Sequence, residues 1–309
     1  MHEGDRFLIA DVGATKTLFF LAQHHVEGPI LIKKKEFLAE DFFSFEEVIF
    51  HFLQGEEKVK YAVIGACGPI KNAVCKLTNL PWVLDRKKIE ASCGLKKVFL
   101  INDLELEGWG VSSLIEEDLV VIQKGKQSDS KVKAILSVGT GLGEGIILED
   151  RVIATEGGHA DFAASTKTEI AFLKWMQEKM DHISFERVLS GEGIENLYEF
   201  FSKERNLTAE QIFLGEEKSC KDAVSLFLQT LGKEAGNFSL KTLCFGGIYL
   251  TGGVLRKNFL LIQRGEVTEM FKEKGRFKNL LKEVPIYLIK GDKGRYFGGW
   301  NYLKKETNK

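Results

Sequence analysis

Apolar residues near the N-terminus come in short blocks separated by turn residues. Residues 7–10 read as a buried strand, Asp11-Val12-Gly13-Ala14-Thr15 as a turn, and residues 18–21 as the return strand of a β-hairpin. The period then changes. Phe45, Val48, Ile49 and Phe52 fall at i, i+3, i+4 and i+7, the spacing of one helix face. Residues 61–64 and 98–101 are compact apolar runs of the kind that form strands buried on both sides.

The middle of the chain repeats this order. Residues 134–138 form a strand that runs into Gly139-Thr140-Gly141-Leu142-Gly143, and residues 146–148 and 152–154 read as strands around the turn Glu149-Asp150-Arg151. Helical stripes follow: Leu173, Met176 and Met180; Ile194, Leu197, Tyr198 and Phe201; Val224, Phe227, Leu228 and Leu231. Each stripe is explained by core packing alone. Residues 248–250 make a strand between two glycine pairs, Gly246-Gly247 and Gly252-Gly253, and residues 284–289 one more. Strands alternating with helices place the chain in the α/β class, and the order of elements predicts two domains.

Composition narrows the function. The 309 residues are 44% hydrophobic and 28% charged, ordinary values for a globular chain. Lysine plus arginine (43) nearly balances aspartate plus glutamate (44), which gives no support to binding of nucleic acid or an anionic membrane. No run approaches the roughly 18 apolar residues of a membrane span. The apolar block before Asp11 is too short for a signal peptide. The five cysteines, Cys67, Cys75, Cys93, Cys220 and Cys244, are scattered and form no CxxC pair, as expected of reduced thiols rather than a zinc site or disulfide framework.

Three glycine-rich turns adjoin strands: Asp11 to Thr15, Gly139 to Gly143, and Gly252-Gly253. Glycine admits close approach of a ligand, and successive backbone N–H groups in such turns form a nest for phosphate oxygens. Thr15 and Thr140 could add hydroxyl donors. Tight connection is the simpler account of any single turn. The sequence holds no G-x-x-x-x-G-K-[ST], its G-x-G-x-G misses the dinucleotide fingerprint, and HExxH and GxSxG are absent. Asp11 at the end of a strand suits a hydrated Mg²⁺ beside phosphates, and equally an Asx-turn.

Two polar clusters carry further chemistry. Asn102-Asp103 follows a strand, and Glu156-Gly157-Gly158-His159 follows another, with Glu186 beyond in Phe185-Glu186-Arg187-Val188-Leu189-Ser190-Gly191. Asn, Asp, Glu and His together offer the donors and acceptors that a sugar's hydroxyls require. One carboxylate could also take a hydroxyl proton during phosphoryl transfer. Each residue has a structural alternative. Asn102 or Asp103 could cap a helix over residues 104–114, His159 could be a satisfied structural histidine, and Glu186 could oppose a helix dipole.

These residues resemble the bacterial glucokinase family of the actin–hexokinase superfamily. The resemblance runs from residue 7 to about residue 300 and is carried by Asp11-Val12-Gly13-Ala14-Thr15, Ile101-Asn102-Asp103, Gly139-Thr140-Gly141-Leu142-Gly143, Glu156-Gly157-Gly158-His159-Ala160-Asp161-Phe162, Glu186-Arg187-Val188-Leu189-Ser190-Gly191 and Gly246 to Gly253. It implies two ribonuclease-H-like α/β domains flanking a catalytic cleft: a smaller one from residues 1–112 plus 290–309, and a larger one from residues 113–289. It further implies a cytoplasmic, ATP-dependent enzyme of glycolysis that phosphorylates the 6-hydroxyl of glucose. Glucose would be held by Asn102, Asp103, Glu156, His159 and Glu186, with Asp103 as general base. Asp11, Gly13, Ala14, Thr15, Gly139, Thr140 and Gly141 would embrace the ATP phosphates. Gly252 and Gly253 would lie near the adenosine, and Asp11 would meet Mg²⁺ through water. Homodimers are common in the family.

The chain departs from the family pattern at four places. Ala14 stands for a glycine, Lys16 for a frequent asparagine, Glu192-Gly193 for Pro-Gly, and Gly294-Arg295-Tyr296-Phe297-Gly298-Gly299 for the usual glycine-rich helix start. Two rivals are weaker. Kinases of the repressor–ORF–kinase group usually carry a cysteine-rich zinc loop after their Glu-x-Gly-His stretch, and no cysteine lies between Cys93 and Cys220 here. Sugar sensors on the same fold typically carry a DNA-binding extension, for which the N-terminal strand leaves no room.

Overall fold

A computed structural model describes residues 1–13, 15–77, 80–126 and 128–308. The chain separates into two units, Met1–Ile115 with Asp292–Lys309, and Glu116–Gly291.

In the first unit the expected hairpin forms. β1 (Arg6–Val12) pairs antiparallel with β2 (Lys16–His25), and β2 with β3 (Gly28–Leu38). β4 (Tyr61–Ala66) lies parallel to β1 on its other side. A small antiparallel sheet of β5 (Ile70–Lys71), β6 (Val74–Lys76) and β7 (Val83–Asp85) follows, and then β8 (Lys97–Asn102) pairs parallel to β4. The main sheet thus runs β3-β2-β1-β4-β8. Alternation along β1 serves two cores. Leu8, Ala10 and Val12 face one side, where Phe19, Phe37 and the helix face Phe45, Val48, Ile49 and Phe52 of α1 (Phe45–Leu53) pack. Phe7 and Ile9 face the other, covered by Leu106 of α3 (Asp103–Gly110) and by Tyr296, Trp300 and Leu303 of the C-terminal helix Lys293–Thr307. With both faces covered, residues 7–10 are wholly buried. The helix α2 (Arg86–Cys93) adds Ile89 to the first core and is capped by Asp85, which accepts from the Lys87 and Lys88 N–H groups.

The second unit has the same strand scheme. β10 (Lys133–Val138), β11 (Leu142–Ile147) and β12 (Val152–Thr155) form an antiparallel meander, and β13 (Ile248–Thr251) and β14 (Ile286–Ile289) add in parallel. β9 (Leu119–Gln123) closes the far edge antiparallel to β14. The order β12-β11-β10-β13-β14 repeats β3-β2-β1-β4-β8 of the first unit. The core is built on helices α4 (Lys167–Gln177), α5 (Gly191–Ser202), α6 (Ala209–Leu214) and the 25-residue α7 (Lys218–Thr242).

Several boundaries differ from the sequence expectation. Met180 lies beyond the end of α4, although it packs on the same core. The helix expected over residues 104–114 ends as a 3₁₀ turn, Val111–Ser113. The strand expected from residue 284 begins at Ile286, after Pro285, which has no N–H for the ladder. β3 has no counterpart in the expectation. It is an edge strand, and its lysines Lys33, Lys34 and Lys35 blur the alternation while discouraging pairing with other chains. Among the described residues no helix is long and apolar enough to cross a membrane.

Candidate active site

Parallel pairing in the first unit puts chemistry at one end of the sheet. β1, β4 and β8 run the same way, with Asp11 opposite Gly65 and Ala66 opposite Asn102. Asp11 and Asn102-Asp103 therefore emerge at the carboxyl ends of β1 and β8, the strands on either side of β4, at the sheet end where open α/β sheets bind ligands. Asn102 caps α3: its Oδ1 accepts from the Leu104 N–H at 2.9 Å and the Glu105 N–H at 3.2 Å. The cap uses the acceptor end of the amide and leaves the Nδ2 donor for another partner. Capping and ligand binding are thus compatible in one residue.

Asp103 is the first residue of α3. Its Oδ1 accepts from the Leu104 N–H at 2.9 Å. Burial, reinforced by the nearby Asp11 charge, pushes its carboxyl up to about 6, while the Leu104 N–H and Arg295 restrain the rise. Such a carboxylate is ionised at neutral pH and more basic than an ordinary aspartate. The neighbouring Cys67 thiol is pushed up to about 12 by burial and by Asp103 and Asp11, so it stays neutral.

Sequence reasoning did not find the partner of Asp11. Arg295, on the C-terminal helix, brings its Nε to 3.0 Å from Asp11 Oδ2 and 3.6 Å from Glu107 Oε2. Burial alone would lower the arginine's affinity for its proton, but Asp11, Glu107, Asp103 and Asp292 more than reverse this. The only hint in the sequence is the charged interruption of the glycine-rich segment Gly294 to Gly299. Lys16, beside the same turn, instead pairs with Glu36 across β2 and β3 at 2.6 Å, both side chains exposed. Gly13 closes the turn, its N–H donating to the Lys16 carbonyl at 3.0 Å. The Thr15 carbonyl accepts from the Ala39 N–H at 2.9 Å. Ala14 lies outside the described residues.

In the second unit the turn between β10 and β11 is closed by the Gly139 N–H on the Gly141 carbonyl at 2.9 Å, and Gly191 N–H donates to the Gly139 carbonyl at 2.9 Å. Thr140 at its tip is exposed. Glu186, in the 3₁₀ turn Phe185–Arg187, accepts from the Leu142 N–H through Oε2 at 2.9 Å and packs against Gly141. Its other oxygen lies 3.9 Å from His159 Nδ1, and His159 Nε2 lies 3.8 Å from Glu156 Oε2. Glu156, His159 and Glu186 thus form one cluster beside the 139–141 turn. His159 is 57% exposed and Glu156 82%, so both have room for a ligand. Gly252 follows β13 with φ +98° and backbone pressed on Val138, a position no side chain could share, and Gly253 opens the short helix α8 (Gly253–Lys257).

Below this cluster, Glu144 on β11 packs its Oε2 against Gly157 and lies near the Glu234 carboxyl of α7. Both carboxyls are buried, and desolvation together with their mutual repulsion raises Glu144 well above the carboxylate range.

The donor set also bears on Mg²⁺. Among the described residues no group of three His, Cys, Asp or Glu side chains could hold a metal ion. Asp11 gives one carboxylate, with Oδ2 engaged by Arg295. That fits an ion bound chiefly by phosphate and water oxygens, with Asp11 reaching it through water.

Comparison with known proteins decides the family. The glucokinase family model matches residues 8–306. The chain belongs to the glucokinase family. It is a sugar kinase, a phosphotransferase. Among its relatives, a glucokinase of Nostoc punctiforme is 34% identical over 324 residues, covering 91% of this chain and 94% of the relative. A glucokinase of Photorhabdus laumondii is 30% identical, covering 97% and 98%. The crystal structure of a glucokinase from an Antarctic psychrotroph superposes with a TM-score of 0.84 at 26% identity, over 97% of this chain and 99% of that one. A ROK family glucokinase from Streptomyces griseus, solved with glucose and AMPPNP, shares the fold with a TM-score of 0.67 at 16% identity, over 95% and 98% of the two chains. The glucokinase family is thus reached both by sequence and by fold, as the motifs implied.

Proposed function

We propose that the chain transfers the γ-phosphoryl group of ATP to the 6-hydroxyl of glucose, with Asp103 as general base. The observation that carries the assignment of the base is a carboxylate at the end of β8, raised by burial to about 6, hence ionised at neutral pH yet basic enough to accept a hydroxyl proton. Asn102, through its amide donor, and Glu156, His159 and Glu186 hold the sugar hydroxyls, and Asp103 both orients and deprotonates the acceptor oxygen. The turns at Asp11, Gly13, Ala14 and Thr15 and at Gly139, Thr140 and Gly141 offer backbone N–H and hydroxyl groups to the phosphates. Gly252 and Gly253 lie by the adenosine. When bound, Mg²⁺ neutralises charge on the phosphates, and Asp11 is the residue beside it, through water.

Most of the rate comes from orientation and charge neutralisation, because phosphoryl transfer leaves little covalent work to the protein. Exclusion of water keeps it from competing as acceptor. By family resemblance the enzyme acts in glycolysis in the cytoplasm as a homodimer of two domains, residues 1–112 plus 290–309 and residues 113–289. Light scattering of the purified chain checks the oligomer. A coupled ADP-release assay over glucose, mannose, fructose and N-acetylhexosamines tests the activity. Glucose should give the highest kcat/KM, and turnover of an N-acetylhexosamine with none of glucose would refute the reading.

A further inference from the structure

The sugar residues assigned to the second unit all rest on one strand. Leu142 and Glu144 stand two apart on β11, so their side chains leave the strand on the same face. Leu142 holds Glu186, its N–H donating to Oε2 at 2.9 Å. The Leu142 carbonyl lies against Gly158, where a Cβ would meet the oxygen at 2.1 Å. The Glu144 carbonyl accepts from Thr155 Oγ1 at 3.0 Å, and that hydroxyl oxygen accepts from the Gly157 N–H at 3.2 Å. The Glu144 side chain reaches the same glycine: a Cβ on Gly157 would stand 2.1 Å from its Oε2 and 2.9 Å from its Cδ. The carboxyl thus lies directly against backbone, and only glycine leaves room for it. Gly157 opens the 3₁₀ turn Gly157–His159, tied by the His159 N–H on the Glu156 carbonyl at 3.0 Å and the Ala160 N–H on the Gly157 carbonyl at 2.9 Å. Whatever sets the height of Gly157 therefore sets Glu156 and His159 together.

We propose that Glu144 is a positioning residue for the sugar: its carboxyl, seated under Gly157, fixes the turn that presents Glu156 and His159. The inference rests on the reading of those two side chains as sugar ligands. Glu144 is 1% exposed, and its Oε1 receives no hydrogen bond from the described residues. A buried carboxyl with an idle oxygen weakens a fold, and an apolar side chain would fill the same core at less cost. Stability does not account for a glutamate here, whereas contact with the turn does. Support comes from behind. The Glu234 carboxyl of α7 lies near that of Glu144 and is itself held, Oε2 accepting from Asn237 Nδ2 at 2.8 Å and Oε1 lying 3.7 Å from Lys241 Nζ. The turn of residues 139–141 is closed by its own hydrogen bond, and Asp103 belongs to the other unit. Loss of the Glu144 carboxyl should therefore fall on sugar affinity and spare turnover and nucleotide affinity.

The test uses the full chain and the variants Glu144→Ala, Glu144→Gln, Gly157→Ala and His159→Ala. Steady-state kinetics give kcat and the KM for each substrate, calorimetry gives the glucose dissociation constant, and circular dichroism checks folding. Glu144→Ala should raise the glucose KM and dissociation constant about tenfold, with kcat and the ATP KM within about threefold of the parent. Glu144→Gln keeps the flat end of the side chain and should recover most of the affinity. Gly157→Ala forces the turn off the carboxyl and should weaken glucose at least as much as Glu144→Ala. A folded Glu144→Ala with parental glucose affinity overturns the proposal, as does one whose kcat and ATP KM suffer as much as its glucose KM. If Glu144→Ala does not fold, a Gly157→Ala enzyme with parental glucose affinity overturns it. Parental affinity in His159→Ala would bring down the sugar-site reading and this proposal together. Weakened binding in His159→Ala beside parental binding in Glu144→Ala would bring down this proposal alone.

Discussion

At the scale of single residues, Asp103 is the place where sequence, geometry and proton affinity meet. Asp103→Asn keeps its shape and removes the base, so kcat should fall by roughly 10²-fold or more while glucose still binds, as steady-state kinetics and fluorescence titration would show. Because base action requires the ionised form and burial raises Asp103 to about 6, kcat/KM of the parent should decline as pH drops through that value. His159→Ala should weaken glucose binding by roughly 1–3 kcal/mol, since it strips a partner from the sugar and from Glu156 and Glu186. Unchanged affinity in that variant would remove His159 from the site. The candidates Asn102, Asp103, Glu156, His159 and Glu186 could be picked out from residue type and position after strands. Arg295 and Glu107 could not, because what marks them is a contact between segments almost two hundred residues apart, and no local pattern encodes it.

At the scale of elements, helix stripes and short buried strands were legible because their burial is periodic. β3 escaped because an edge strand need not hide either flank, and its run Lys33-Lys34-Lys35 erases the alternation. The tight crossing of α3 and the C-terminal helix also left its mark in the sequence, as glycines, though not its partner. Gly298→Ala would drive a methyl into the Leu106 carbonyl, and overpacking of that kind costs roughly 1–3 kcal/mol. Denaturant unfolding should show the loss. Since α3 carries Asp103, kcat should fall with it. The buried pair Glu144 and Glu234 gives a pH signature. Burial and mutual repulsion lift Glu144 from 4.5 to about 8, so the folded state retains a proton that the unfolded chain releases. Stability from this pair is therefore greatest at low pH and is lost as pH rises through the interval between those two values. Glu144→Gln, which keeps the shape and removes the titrating proton, should flatten this part of the Tm–pH curve. A variant curve parallel to the parent's would show that the pair does not titrate there.

At the scale of the whole molecule, the first unit is discontinuous in sequence: 292–309 complete what 1–115 begin. Tyr296, Trp300 and Leu303 cover one face of the β1–β2 sheet. Each contributes roughly 1.5–3 kcal/mol by burial, and together they rival the 5–15 kcal/mol by which a domain is usually stable. A chain ending at residue 291 should therefore lose the first unit's cooperative unfolding transition and all kinase activity, while α4 to α7 keep their circular-dichroism signal. If such a truncation stayed active, the C-terminal helix would be dispensable to the fold.

That arrangement sets a timetable for synthesis. Emerging from the ribosome, residues 1–115 expose one apolar sheet face, covered in part by α3, that is not closed until residues 293–307 are translated, whereas residues 116–291 are contiguous and can settle first. The unit bearing Asp103 is thus sealed after the second, so a nascent chain has no finished first unit before residues 293–307 have been made, and chaperones that shield exposed apolar sheet have a long interval on this part of the enzyme.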